Sequence, residues 1–245
     1  MQTAVVPSRE FPSESRRRRE ARRARHRLYP VTILYSLYSL LVLGVALVRA
    51  PHRAVPAAFF ATGALAWTLL EYFVHRHVLH GRFPDGNGIV QHLLHKYFDH
   101  LHLEHHARPW DGNHVSGTIR DTLPVAAVMA LLSFLAPVYT APVFVAGVLQ
   151  SYIFEEWVHH SVHFCDFDGR YFQYIKRHHL YHHSPKGIEV GYGLTSGFWD
   201  VVWQTRIPAS ERRALYLRRS GRREGDRDQP RPSAPPSGET SHLDA

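Results

Sequence analysis

Twenty histidines in 245 residues, almost as many as the 21 acidic side chains, are the main chemical resource of this chain. Half of them fall in four clusters: His75 with His80; His102, His105 and His106; His159 with His163; and His179, His182 and His183. Two clusters repeat one pattern, H-x-x-H-H. On a helix, residues three or four apart lie within about 60° of each other, so the three rings of each repeat share a face. His159 and His163 are likewise one turn apart. His75 and His80 are five apart, about 140° around a regular helix, so this pair requires a local distortion or ligands reaching to two different metals.

Imidazole suits iron, zinc, copper and nickel. Ten rings exceed the coordination of one ion, whereas two ions with about five nitrogens each leave a position open for dioxygen or water, the requirement of a catalytic rather than a structural site. Cys165 is the only cysteine, which excludes an internal disulfide framework and a thiolate-rich metal site. The carboxylates Glu71, Glu104, Glu155, Glu156 and Asp200 are cast as partners that fix ring orientation and tautomer, not as ligands. His26, His52 and His242 stand alone and read as surface residues.

The elements that must position these rings are membrane helices. Apolar residues are gathered into runs instead of amphipathic spacing. Eight arginines, Arg16 to Arg19 with Arg22, Arg23, Arg25 and Arg27, immediately precede the uncharged span Leu28 to Val48. That order reads as a cytoplasmic topology signal, in preference to a nucleic-acid arm or a signal peptide. Leu28 to Val48 is long enough to span, and Ala54 to Leu70 returns behind the short break at residues 49–53, forming a helical hairpin. A cytoplasmic N-terminus then puts residues 75–121 back inside.

Leu123 to Phe154 is a second uncharged stretch, interrupted by Pro137 and Pro142. It is short for two full crossings, and a single crossing would put the histidine clusters on opposite faces of the membrane. A shallow or re-entrant hairpin broken near Pro137 satisfies both constraints. The expected fold is therefore an all-α integral membrane protein, with two transmembrane or re-entrant helical hairpins under a cytoplasmic histidine-rich helical cap. Residues 28–208 form this domain, and residues 1–27 and 209–245 are expected to be disordered tails, the first of them basic and cytoplasmic.

The clusters resemble the histidine boxes of the fatty acid hydroxylase superfamily, which includes lipid 2-hydroxylases, sterol desaturases and carotenoid hydroxylases. Glu71-Tyr72-Phe73-Val74-His75-Arg76 through His80 is similar to the first box. His102, His105 and His106 match the second, His159 and His163 the third, and His179, His182 and His183 the fourth. The segment Gly191 to Ser196 with Trp199-Asp200 is similar to the superfamily's closing segment. Phe164 stands where many members have another histidine, and Trp203-Gln204-Thr205 replaces the usual F-G-T.

The resemblance implies two iron ions held by His75, His80, His102, His105, His106, His159, His163, His179, His182 and His183, with zinc a possible occupant of purified protein. It implies a monooxygenase that uses O2 as co-substrate to hydroxylate an unactivated C–H bond of a lipid, a fatty acyl chain first among candidates. Glu71, Glu104, Glu156 and Asp200 would support the centre. No fused cytochrome b5 domain is seen before the hairpin, so electrons are expected from a separate donor, a cytochrome b5-like protein, ferredoxin or reductase. No nucleic-acid partner is expected. A desaturase or a sterol- or carotenoid-type oxidase would share this ligand spacing. A non-catalytic metal-binding or transport protein would instead carry ionisable groups within its spans, and both hydrophobic hairpins lack them.

Overall fold

The structure is a computed structural model that describes residues 12–81, 87–95 and 100–213. It divides into two units, residues 1–206 and 207–245; of the second, the described part includes a helical turn at 209–213. The described residues of the first unit are all-α.

Helix α1 (Glu14–Arg49) begins inside the basic segment expected to be a tail. Arginine is a good helix former, and Glu14 sits in the first turn, where it pairs with Arg18 one turn on. Tertiary contacts complete the case: Ala24 and Leu28 are buried, and the Glu20 carboxylate accepts the Gly112 N–H at 3.2 Å. A Cβ at residue 112 would stand 2.1 Å from the Glu20 carbonyl oxygen, so glycine is needed for this approach. The disordered-tail expectation is thus corrected for residues 14–27. Residues 1–11 and 214–245 lie outside the described residues.

Helix α2 (Ala54–Phe73) returns antiparallel and runs without a break into a π-helical segment, Val74–Leu79. Two short helices follow, α3 (Ile89–Leu94) and α4 (His100–Ala107). Helix α5 (Ile119–Ser133) starts at a capping box in which Asp121 accepts the Thr118 N–H at 2.8 Å. A turn around Pro137 leads into α6 (Ala141–Phe164), followed by α7 (Arg170–His182) and α8 (Phe198–Val202).

Helix α6 is the central element. Val145, Leu149 and Ile153 pack with Val31 and Tyr35 of α1 and Ala126 of α5, and Val143 packs with Val42 and Ala46. Its crossing with α2 uses reciprocal glycines. A Cβ on Gly63 would lie 2.1 Å from the Phe144 carbonyl oxygen, and one on Gly147 2.2 Å from that of Phe60. Such close backbone approach is how helices associate where lipid offers no hydrophobic drive.

Helix α1 and the helix running from Ala54 to Leu79 are long and apolar enough to cross a membrane. Leu37, Leu40, Leu41 and Leu65 are exposed on their outer faces, where acyl chains would cover them. With 15 residues, α5 is about 22 Å long, below the roughly 30 Å of a hydrocarbon core, whereas α6 has 24 residues and is longer than that core. The histidine-rich segments gather beyond one end of these helices as a cap.

Candidate metal centre

All four histidine clusters converge, and they sort into two sets that cut across the sequence motifs. His75, His80, His102, His106 and His182 form the first set; His105, His159, His163, His179 and His183 form the second. Within each set the ligand nitrogens lie within 4.8 Å of one another. Each H-x-x-H-H motif is therefore divided. In α4 the i, i+4 pair His102 and His106 serves the first set and His105 the second. In α7 and its C-terminal residue, His179 and His183 serve the second set and His182 the first. The sets are adjacent: the His106 and His183 rings stack with centroids 4.2 Å apart.

The π-helical segment resolves the spacing of the first motif. The His80 N–H donates to the His75 carbonyl, five residues back, at 3.1 Å. This wider turn brings side chains five apart onto one face, so the required distortion is present and both rings enter the same set. A single-turn π-bulge within a helix often marks a functional site.

The donor geometry suits metal ions. Neighbouring Nε2 atoms are 2.9–3.0 Å apart in the first set and 2.9–3.2 Å in the second. Ligands held about 2.1 Å from one ion and roughly at right angles would be separated by about 3.0 Å. These contacts are poor hydrogen bonds on chemical grounds. Nδ1 of His75 donates to the Tyr192 carbonyl, and Nδ1 of His182 to the Val190 carbonyl at 2.8 Å. A carbonyl can only accept, so in both neutral rings the proton is on Nδ1 and Nε2 presents a bare lone pair. Several such lone pairs converging at 3 Å repel one another unless a cation lies among them.

Burial, reinforced by the charge neighbouring imidazoles would carry, pushes the His102, His105, His179 and His183 rings well below the ordinary range. They are neutral at physiological pH, as metal ligation requires.

The support around the first set comes from the segment that follows α7. Glu71, in the last turn of α2, accepts the Leu194 and Thr195 N–H groups and the Thr195 hydroxyl. Asp200, at the start of α8, accepts the Tyr192 N–H at 2.9 Å, the Gly193 N–H at 3.0 Å and the Thr205 hydroxyl at 2.7 Å, and lies 3.1 Å from His178 Nε2. Burial alone would raise the Asp200 carboxyl, but these donors outweigh it and hold the group below the usual carboxylate range. Both carboxylates act through the backbone: they pin the strand of chain whose Val190 and Tyr192 carbonyls orient His182 and His75.

The other acidic candidates sit elsewhere. Glu104 pairs with Arg108 across the outer face of α4. Glu156 accepts the Tyr152 hydroxyl at 2.9 Å and the Gly117 N–H at 3.3 Å, joining α6 to the start of α5. Glu155 accepts the Trp67 indole N–H at 2.7 Å. The carbonyls of Val190 and Tyr192 were not singled out by sequence reasoning, because main-chain acceptors carry no residue-type signal. The glycines of Gly191-Tyr192-Gly193 were the available hint: Gly191 has a positive φ of 72°, and a Cβ on Gly193 would clash with the Ser196 carbonyl.

An all-α scaffold with membrane-length helices and two five-imidazole sets defines a membrane protein built to hold two metal ions by nitrogen alone. Comparison with known proteins narrows this: the fatty acid hydroxylase family model matches residues 60–205, and the chain belongs to that family. It is similar to a fatty acid 2-hydroxylase of Rattus norvegicus (31% identity, covering 64% of this chain and 41% of the relative). It is also similar to the dihydroceramide fatty acyl 2-hydroxylase FAH2 of Arabidopsis thaliana (34% identity, 59% of each chain). A solved structure described as full-length scs7p, with only the hydroxylase domain visible, superposes with a TM-score of 0.61 at 26% identity, over 74% of this chain and 67% of that one. This chain spans less than half the length of the rat relative. Within this family the two ligand sets are consistent with a di-iron cofactor.

Proposed function

We propose that this protein is a membrane di-iron monooxygenase that hydroxylates an unactivated C–H bond of a lipid, most directly a fatty acyl chain. The observation that carries the reading is the meeting of ten imidazoles in two sets of five, in a chain of the fatty acid hydroxylase family whose relatives include acyl 2-hydroxylases. Five nitrogens on each ion would leave room for an exogenous ligand. A bound iron pair supplies the redox chemistry by which one oxygen atom of O2 enters the C–H bond and the other leaves as water, with two electrons and two protons consumed.

The chain's own residues supply position. His75, His80, His102, His106 and His182 would hold one ion, and His105, His159, His163, His179 and His183 the other. Glu71, Asp200 and the carbonyls of Val190 and Tyr192 fix the rings of the first set. The apolar outer faces of α1 and α2 let an acyl chain approach from the bilayer, while Tyr72, stacked on Trp203 with centroids 5.0 Å apart, stiffens the junction between bilayer and cap. The two electrons come from a donor protein of the cytochrome b5, ferredoxin or reductase class. The arginine-rich start of α1 supports a cytoplasmic N-terminus, and the return of α2 to the same side supports a cytoplasmic metal centre.

The test is lipid mass spectrometry of cells expressing the wild type or His105→Ala, with metal analysis of both purified proteins. Gain of one oxygen on an acyl lipid, abolished by the substitution, is expected. Loss of two hydrogens instead would identify a desaturase. No change in any lipid class from iron-loaded protein with a working reductant would sink the oxygenase reading.

A further inference from the structure

The arginine-rich part of α1 does more than set topology. Together with the C-terminal half of α6 it encloses a groove of about 340 Å³ that the metal centre does not use. Arg18, Arg22 and Arg25 line one side, and His160, Phe164 and Cys165 the other. Spacings of four and three put the three arginines on one helical face. Arg18 is engaged by Glu14, and Arg17, at the groove's edge, by Asp166. Arg22 and Arg25 are exposed and have no carboxylate partner among the described residues, so the groove keeps an excess of positive charge over Glu14 and Asp166.

Its height relative to the bilayer selects the ligand. The uncharged span of α1 starts at Leu28, so Arg25 and Arg22 stand about 5 and 9 Å beyond the hydrocarbon edge at 1.5 Å per residue. The headgroup layer on each side of a bilayer is roughly 5–7 Å thick. The guanidinium groups, at the ends of long flexible stems, therefore reach the level of lipid phosphates, and a planar fork of donors matches a phosphate bidentately. We propose that this groove binds the phosphate headgroup of an anionic phospholipid, clamped by Arg22 and Arg25. The inference rests on the membrane reading.

The site has a structural role available to it. His160 Nε2 meets the Ala21 carbonyl at 3.1 Å, so α1 already leans on the helix that carries His159 and His163. A lipid phosphate bridging the arginines over His160 and Phe164 fastens that contact from outside.

The full chain is reconstituted in neutral phosphatidylcholine nanodiscs and in discs containing phosphatidylglycerol, and retained lipid is counted by native mass spectrometry. Wild type should retain phosphatidylglycerol preferentially. Arg22→Gln with Arg25→Gln should weaken retention about tenfold or more, while Arg16→Gln with Arg19→Gln, which removes the same charge outside the groove, should preserve it. Equal losses in both double variants, or no preference in the wild type, would overturn the site. Competition by glycerol phosphate as effective as by lipid would make it a soluble-phosphate site instead. Binding of an acidic protein through Arg22 and Arg25 without any lipid preference would assign it to a protein partner. Failure of the wild type to co-float with vesicles of any composition would overturn the membrane reading, and the lipid site with it.

Discussion

His106 and His183 stack nearly parallel, with an interplanar angle of 24°, yet they belong to different ligand sets. Neighbours in sequence are likewise separated: His105 faces the second set and His106 the first. Single substitutions one residue apart should therefore empty different sites. His106→Ala and His105→Ala are each expected to lower bound metal from about two ions per chain to about one. The double variant should hold almost none. Metal analysis of the three proteins decides the point; a double variant that keeps one ion would mean that the two residues share a site.

Asp200 is fully buried and serves two main-chain N–H groups, a hydroxyl and His178. Asp200→Ala leaves those donors without an acceptor and frees the chain that carries the Tyr192 carbonyl. A loss of about 3–5 kcal/mol of stability is expected, with metal affinity of the first set falling about 10–100-fold. Thr195→Val removes one hydroxyl from the Glu71 carboxylate and should cost only about 1 kcal/mol. Thermal unfolding and chelator competition read both effects.

At the α2–α6 crossing, the Cβ of a Gly147→Ala variant would meet the Phe60 carbonyl oxygen at 2.2 Å, and main-chain atoms cannot turn aside. The helices must separate, at an expected cost of about 1–3 kcal/mol or more. Gly44→Ala is the control: nothing lies within 4 Å of its Cβ, and the change should be neutral or stabilise by up to about 1 kcal/mol. Melting temperatures in one detergent compare the two.

Metal-free protein should weaken in acid. Burial, then the charge of His182, lowers His80 to about 3; burial, then the charges of His182 and His80, lowers His106 to about 2. Burial lowers His182 to about 4 against the opposing hydrogen bond to Val190. In the unfolded chain these rings titrate near 6.5. Above that value both states are neutral and the rings contribute no pH dependence. Below it the unfolded chain binds protons that the folded one refuses, so stability falls as pH drops from about 6.5 towards 4. The unfolding midpoint of chelated protein should be lower at pH 5.5 than at pH 7.5; a higher midpoint at pH 5.5 would contradict this.

Residue type and spacing make the ten rings and the two apolar helical stretches legible in the sequence. Imidazoles at one-turn spacing and long uncharged runs are signals that a linear chain displays directly. The sorting of rings between sets was not legible, because all three histidines of an H-x-x-H-H motif share a face and only the approach of other helices divides them. The pairing of His75 with His80 was left open for a related reason: a π-turn is a backbone event that no side chain announces. The helical start at Glu14 is not legible in the sequence, because eight arginines resemble a solvated tail and the packing of Gly112 against Glu20 carries no local signal. Glu104 lies among the box histidines in sequence, although its one-turn spacing from Arg108 offers it a surface partner.

The divided motifs have a consequence for biogenesis. Since α4 and α7 each lend rings to both sets, rotating either helix to improve one set would spoil the other, and neither set can be finished on its own. A chain emerging from the ribosome can bring together four rings of the first set from its first two boxes, but each set lacks at least one ring until the last box has left the tunnel. Completion of either site therefore waits for the fourth box, which places full metal capture late in folding.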